Sequence, residues 1–409
     1  MEDIRTVIIV GGGQAGGRAA KAVRAAGYAG RLILIGAETH LPYERPALSK
    51  AVLLDDSAMP PAVLVAADRE ALDMQVRTGC AVAAIDRGAR EVQLADGARL
   101  AYDRLLLATG SRIRTLAIEG VAAETIWTLR TLDDSRRLRE RLRARADVAI
   151  VGGGFIGLEV AASAAKLGCR VTVIEAADRL LPRLGCPEAS SSVLAYHRSI
   201  GIDVRLGATV VRGDATGLVL SDGSRIPATL IVAGIGVAPE TALAEAAGLE
   251  CRDGVLVDEH GRTSDPAIFA AGDVTRHYHP VLGRHIRLES WQNANVQAEA
   301  AARSMIGIAT ASAEIPWLWS DQGDLNLQVA GAPQAIDRVV VRGDPAGEGG
   351  FAVFQFQGEH LVGGVTINRG KDMPMIRRML ARPDLKLDAA ALADPETPLR
   401  RLLPAREAA

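Results

Sequence analysis

At 409 residues the chain is longer than one hydrophobic core organises, so two or three domains are expected. A formal charge of -2, an aromatic content of only 3% and abundant glycine describe a soluble α/β protein, with neither nucleic acid nor a membrane surface as its partner. The start, "MEDIRTVIIVGGG", lacks the basic flank and long apolar region of a signal peptide, and no apolar run approaches the roughly 18 residues of a membrane span. A cytoplasmic location is therefore expected.

In chain order, "RTVIIVGGGQAGGRAAKAVRAAG" reads as a buried strand from Val7 to Val10, a glycine turn and a helix whose alanines permit close packing. A second strand runs from Leu32 to Ile35. The same grammar returns in "ADVAIVGGGFIGLEVAASAAKLGCRVTVIEAADRL", with strands from Val148 to Val151 and from Val171 to Ile174. Two βαβ units imply two Rossmann-like dinucleotide-binding domains. Each is followed by short alternating segments with an Asp-Gly hairpin signal, at Asp96-Gly97 and Asp222-Gly223, which suggests a duplicated architecture. From about residue 315 the texture becomes strand-like, with a helix expected around "MPMIRRMLA", so a C-terminal α+β domain without a dinucleotide signature follows.

In Gly11-x-Gly13-x-x-Gly16 the first glycine permits a tight turn, the second lets backbone approach a pyrophosphate, and the third lets the helix pack on the strand. The helix N-terminus then offers N–H groups and partial positive charge to the phosphates. Gly152-x-Gly154-x-x-Gly157, with Gly153 inside it, repeats the arrangement. Glu175 stands about 20 residues beyond, the spacing at which a carboxylate accepts a ribose 2′-OH and repels a 2′-phosphate, so NADH is preferred over NADPH. Arg179 and Arg183 follow as possible phosphate contacts. In the first unit Glu38 is the first carboxylate after the second strand and the ribose candidate. "LLLATGSR", from Leu105, places the small turn Ala108-Thr109-Gly110 after a buried strand, and "IFAAGDVT" places Asp273 after a glycine, where it can accept a ribityl hydroxyl.

The chain resembles the FAD-dependent, NADH-using ferredoxin reductases that serve bacterial Rieske oxygenases and cytochromes P450, the putidaredoxin reductase and biphenyl dioxygenase reductase group. "VGGGQAG", "LPYERPALSK", "LLLATGS", "LRTLDDS", "VGGGFIGLE", "GIGVAPET", "FAAGDVT", "LESWQNANVQA" and "PWLWSDQ" carry the resemblance in family order. It implies a glutathione-reductase-like pair of dinucleotide folds plus a C-terminal domain: FAD-binding at 1–112 and 240–314, NAD-binding at 113–239, and C-terminal at 315–409. The implied activity is transfer of hydride from NADH to FAD and of single electrons to a [2Fe–2S] ferredoxin, which feeds a P450 or Rieske oxygenase.

Residue by residue, the resemblance implies that Lys50 lies beside the flavin and that Arg130 and Asp273 contact FAD. Trp291 falls in the segment beside the isoalloxazine, and Trp319 is the aromatic near the stacked flavin and nicotinamide. Phe155, Ile156, Glu159, Glu175, Arg183, Ile235, Gly236 and Glu289 match NAD-contacting positions. Gln14, Ala15, Arg45 and Val82 join the glycines and the Ala108 turn as cofactor-binding candidates. Two departures stand out: Ala47 replaces a common second proline of the family pattern, and Ala37 stands where some members have aspartate.

Disulfide reductases and several NADH oxidases of this fold pass electrons to a nearby sulfur. "YERPALSK" holds no cysteine, and Cys80, Cys169, Cys186 and Cys251 form no Cys-x-x-Cys, so that route has no acceptor. A cation such as Lys50 stabilises anionic reduced flavin, and Glu159 is the carboxylate expected to hold it. Alternatives are a rubredoxin reductase or an NADH oxidase and, from a different class, a redox sensor resembling apoptosis-inducing factor. "RRLRERLRARADV" reads as an amphipathic helix with a solvated basic face, and His277, His279 and His285 as residues of a Pro/Gly loop without metal spacing. An acidic ferredoxin calls for a locally basic face, for which Arg369, Lys371, Arg377, Arg378, Arg45 and Arg287 are candidates.

Overall fold

The apolar runs at Val7 and Leu32 are continuous because both faces of their sheet are covered. Val7, Ile9, Leu32 and Leu34 enter one core with Ala19, Ala20, Ala298 and Ala301. Ile8, Val10, Ile33 and Ile35, one residue out of phase, enter another with Val92, Leu94 and Val255. The sheet is parallel, in the order Ile268–Ala270, Arg104–Leu107, Thr6–Val10, Arg31–Ile35, Met74–Arg77. On its first face the helices Gln14–Ala25 and Trp291–Met305 lie side by side, their contact built from alanines that let the backbones approach.

The computed structural model describes residues 4–403; the acidic start at residues 1–3, used above against a signal peptide, lies outside the described residues. The chain divides into two compact units. One comprises the chain up to Pro46, Pro60–Arg112 and Val237–Glu314, and the other Ala47–Met59, Ile113–Gly236 and the chain from Ile315 onward.

The second unit repeats the first one's logic. Its parallel sheet runs Asp203–Leu206, Arg170–Glu175, Asp147–Val151, Leu230–Ala233, Ile126–Trp127. Helix Phe155–Lys166 packs on it. Each unit also carries a three-stranded antiparallel sheet, and the Asp-Gly pairs sit at their hairpins, with Gly97 at φ +89° and Gly223 at φ +82°.

The C-terminal region forms a five-stranded antiparallel sheet in the order Trp317–Gln322, Leu325–Gly331, His360–Ile367, Phe351–Gln357, Arg338–Gly343, with the expected helix at Met373–Leu380. Leu325, Leu327, Phe351 and Val353 of this sheet share a core with Val148, Leu158 and Val193.

Two expectations need correction. The basic stretch forms helix Leu132–Leu142 with a Thr131–Asp134 capping box, and Leu138 and Leu142 are buried as its period requires, but Arg139 is buried with them. His277, His279 and His285 lie not in a loop but on the antiparallel strands Thr275–His279 and Arg284–Ile286; only the turn between those strands carries Pro280 and Gly283. No described helix is long and apolar enough to cross a membrane.

Candidate active site

The first glycine turn is shaped by close backbone approaches. Gly11 has φ +123°, and a Cβ there would lie 2.0 Å from the Ala108 carbonyl oxygen. A Cβ at Gly16 would lie 1.8 Å from the Gly11 carbonyl oxygen. No side chain caps the helix that opens at Gly13, which leaves that end to an anion. A dinucleotide pyrophosphate fits such a cradle.

Glu38, the ribose candidate, accepts hydrogen bonds from Tyr43 Oη at 2.5 Å and Arg45 Nη2 at 2.6 Å. Arg45 Nη2 also lies 4.0 Å from the Cβ position of Gly13, so Glu38, Arg45 and the glycine turn form one cluster. Ala15 packs against Gly272, and the next residue, Asp273, accepts a 3.0 Å hydrogen bond from Ser111 Oγ. Thr109 Oγ1 donates to the Glu240 carbonyl at 2.7 Å, fixing the turn that includes Gly110. Gln14 Nε2 donates to Asn295 Oδ1 at 2.9 Å, tying the glycine-turn helix to the helix that Trp291 opens. Val82, at the head of strand Val82–Asp86, is partly buried against the core on the sheet's other face. Glu289 is engaged by Arg287, which also reaches Asp253 at 3.0 Å.

In the second unit Gly152 has φ +112°, and a Cβ at Gly157 would lie 2.3 Å from the Gly152 carbonyl oxygen. Helix Phe155–Lys166 opens at Gly154 without a side-chain cap, leaving Ile156 half exposed beside that end. Glu175 closes its strand and accepts from Gly153 N at 2.7 Å and Ala177 N at 2.8 Å. Two backbone donors hold the carboxylate in place, and its remaining lone pairs can take ribose hydroxyls. Arg183 comes within reach of Gly236, next to Ile235, at the mouth of this turn. Arg179 is instead paired with its neighbour Asp178 at 2.9 Å.

The stretch from Ala47 to Met59 is bolted to two helices of the same unit. Ser135 Oγ donates to the Leu48 carbonyl at 2.7 Å, and Arg139, one turn on, donates to the Val52 and Asp55 carbonyls at 2.8 and 3.1 Å. From the other helix, Ser163 Oγ donates to the Ser49 carbonyl at 2.7 Å. One turn before Ser163, Glu159 takes Lys50 Nζ at 2.8 Å and Ser49 Oγ at 2.5 Å on one carboxylate oxygen. Its other oxygen accepts from Ser320 Oγ at 2.6 Å. The expected Lys50–Glu159 pair is thus formed, with Glu159 only 4% exposed and surrounded by donors. A buried carboxylate with three donors holds its cation in one position.

Trp319 stacks on Trp317 with ring centroids 5.2 Å apart, and Arg377 lies over the Trp317 ring. Arg130 precedes the Thr131 cap, its own N–H bonded to Asp134 at 3.2 Å. Of the basic docking candidates, Arg45, Arg287 and Arg369 already have carboxylate partners in Glu38, Asp253 and Asp372. Sequence reading missed Ser49, Ser135, Ser163, Arg139 and Ser320. The i,i+4 spacing of Glu159 with Ser163, and of Ser135 with Arg139, is the signal that could have marked three of them.

Residues 5–298 match the pyridine nucleotide-disulphide oxidoreductase family model, and residues 317–403 match the reductase C-terminal model. The anthranilate 1,2-dioxygenase system ferredoxin–NAD(+) reductase component of Burkholderia cepacia is 45% identical over 97% of this chain and 98% of its own. The reductase of the covalent putidaredoxin reductase–putidaredoxin complex superposes with a TM-score of 0.93 at 36% identity, covering 97% of this chain and 98% of that one. The ferredoxin reductase for the CYP199A2 system of Rhodopseudomonas palustris gives a TM-score of 0.93 at 38% identity, over 97% and 99% of the two chains.

Proposed function

The chain belongs to the pyridine nucleotide-disulphide oxidoreductase family and, within it, to the ferredoxin–NAD(+) reductases, and from that premise we propose that it is an NADH:ferredoxin oxidoreductase of a bacterial oxygenase system. FAD binds at the first glycine turn, held by the Glu38–Arg45 cluster and Asp273, in a domain of residues 1–112 and 240–314. NADH binds at the second, in residues 113–239, with Glu175 on its adenosine ribose. When bound, FAD supplies the conversion between a two-electron hydride donor and a one-electron acceptor.

The chain's own residues supply orientation and charge. The two glycine turns seat the pyrophosphates. Lys50, held by Glu159, places a fixed cation for the charge that the flavin gains on reduction. Phe155, Ile156 and Trp319 form the apolar setting of the nicotinamide. The electrons pass to a small [2Fe–2S] ferredoxin, of acidic surface, that serves a cytochrome P450 or a Rieske oxygenase. The named relatives are components of an anthranilate 1,2-dioxygenase system and of the CYP199A2 system. The proposed setting of the reaction is the cytoplasm.

One observation carries the reading. Where a disulfide reductase would present sulfur, this chain presents Lys50 locked to a buried Glu159, which can accept no electrons but can stabilise a reduced flavin that passes them on. The test is NADH-driven cytochrome c reduction with a panel of [2Fe–2S] ferredoxins and rubredoxins. Turnover with one or more [2Fe–2S] proteins and none with rubredoxin is expected. Rapid oxygen consumption without a partner, or turnover with rubredoxin alone, would overturn it.

A further inference from the structure

Behind Glu159 a chain of buried polar groups runs deeper into the same unit. Strand Trp317–Gln322 alternates its faces, so Ser320 and Gln322 both point inward, while Trp317 and Trp319 share the opposite side. Ser320 Oγ lies 2.6 Å from Glu159 Oε1, Gln322 Nε2 lies 3.2 Å from Ser320 Oγ, and Gln322 Oε1 lies 2.8 Å from Nε2 of His197, on helix Pro187–Ser199. Ser320, Gln322 and His197 are all fully buried.

The hydrogens along this chain can be counted. An ionised Glu159 has none to give, so the single hydrogen of the Ser320 hydroxyl must go to it. Ser320 can then only accept from Gln322, which must present its NH2 to Ser320 and its carbonyl to His197. His197 must therefore carry its hydrogen on Nε2. Its Nδ1 is buried with no hydrogen-bond partner among the described residues, which suits a bare lone pair better than a second N–H. Burial likewise pushes the imidazole pKa below the ordinary value, with the Gln322 bond opposing, so the ring stays neutral.

We propose that His197 is a positioning residue of the redox site: its Nε2–H fixes the orientation of Gln322, which directs the Ser320 hydroxyl onto Glu159 and so spreads the negative charge that faces Lys50. Without that hydrogen the Gln322 amide is free to turn over and compete for the Ser320 hydrogen. Glu159 then loses a donor, becomes a harder negative charge, and offsets more of the Lys50 field. This rests on the assignment of Lys50 to the flavin made above.

The experiment uses the FAD-loaded protein with 15N-labelled histidine. Long-range 1H–15N spectra are expected to place the His197 proton on Nε2; a proton on Nδ1 reverses the polarity of the chain and overturns the proposal, whether or not any variant folds. In parallel, His197→Leu is expected to slow flavin reduction by NADH roughly 5-fold and to move the flavin midpoint potential negative. His197→Gln, which can return an N–H at the ε position, is expected to stay within about 2-fold of the parent. A purely structural role would lower stability without moving the potential, and an unchanged potential in folded, FAD-loaded His197→Leu would also overturn the proposal. Failure with every ferredoxin, beside normal flavin reduction and the expected tautomer, would remove the partner reading and leave this one standing.

Discussion

Ser163 donates a 2.7 Å hydrogen bond to the carbonyl of Ser49, one helical turn beyond the Glu159 carboxylate that holds the Ser49 hydroxyl and the Lys50 ammonium. Backbone and side chains of one dipeptide are therefore gripped by a single face of helix Phe155–Lys166. A lysine held this way has little freedom to wander. Its charge acts as a fixed feature of the protein, which is what electrostatic preorganisation requires.

Lys50→Met should slow reduction of the bound flavin by NADH roughly 10-fold or more and shift its potential negative. It should also destabilise the fold by about 2 kcal/mol, less than the roughly 3–5 kcal/mol of a fully buried pair because Lys50 keeps some contact with solvent. Stopped-flow reduction and urea midpoints measure the two effects. Unchanged values in both would mean that the pair is neither electrostatic nor structural.

Glu175→Gln removes a charge that two backbone N–H groups and a ribose would share. The kcat/KM for NADH should fall roughly 10-fold, as a charge-assisted hydrogen bond is lost, while that for NADPH falls less or rises. Steady-state assays with both nucleotides decide. An equal fall for both would take Glu175 off the ribose.

Gly16→Ala places a methyl group 1.8 Å from the Gly11 carbonyl oxygen, so strand and helix must separate. Purified protein should retain far less FAD than the parent, read as the flavin-to-protein absorbance ratio. Near-stoichiometric flavin in the variant would place FAD elsewhere.

His277 accepts a 2.7 Å hydrogen bond from Gln297, whose carbonyl oxygen accepts from Gly272 N, next to Asp273, and from Thr275. Burial, followed by the neighbouring His279 and His285, lowers its pKa from the ordinary 6.5 to about 3. A depressed folded-state pKa means that the unfolded chain binds the proton more readily. Its contribution to stability is complete above about pH 6.5 and is lost as pH falls from there toward 3, at up to about 1.4 kcal/mol per pH unit. Urea midpoints from pH 7.5 to 5 should fall in the parent and fall less steeply in His277→Gln. Parallel profiles would show that another group governs the acid limb.

The two glycine fingerprints, the strands that precede them and the Asp-Gly hairpins were legible in the sequence because each is a local device, its parts a few residues apart on one strand–turn–helix. Glu175 was legible for the same reason, its spacing from Gly152 being set by the length of one helix and one strand. The Lys50–Glu159 pair came through resemblance, since nothing in the spacing of those residues brings them together. The solvated reading of Arg139 failed because a helical repeat marks which face a side chain takes, but not whether a neighbouring segment covers it. Arg139 is buried because the stretch from Val52 to Asp55 lies over it and offers carbonyl groups.

By itself, the sequence determined two glycine turns of the dinucleotide-cradle form, the acid that ends the second strand of the second unit and the absence of sulfur from "YERPALSK". Those follow from glycine sterics and from residue chemistry that no packing alters. Only the tertiary structure decided what holds the lysine: three serines, a glutamine and a histidine drawn from four separate parts of the chain. A buried carboxylate is stable only when donors converge on it, and that convergence is a property of how helices and strands pack, which no single stretch of sequence contains.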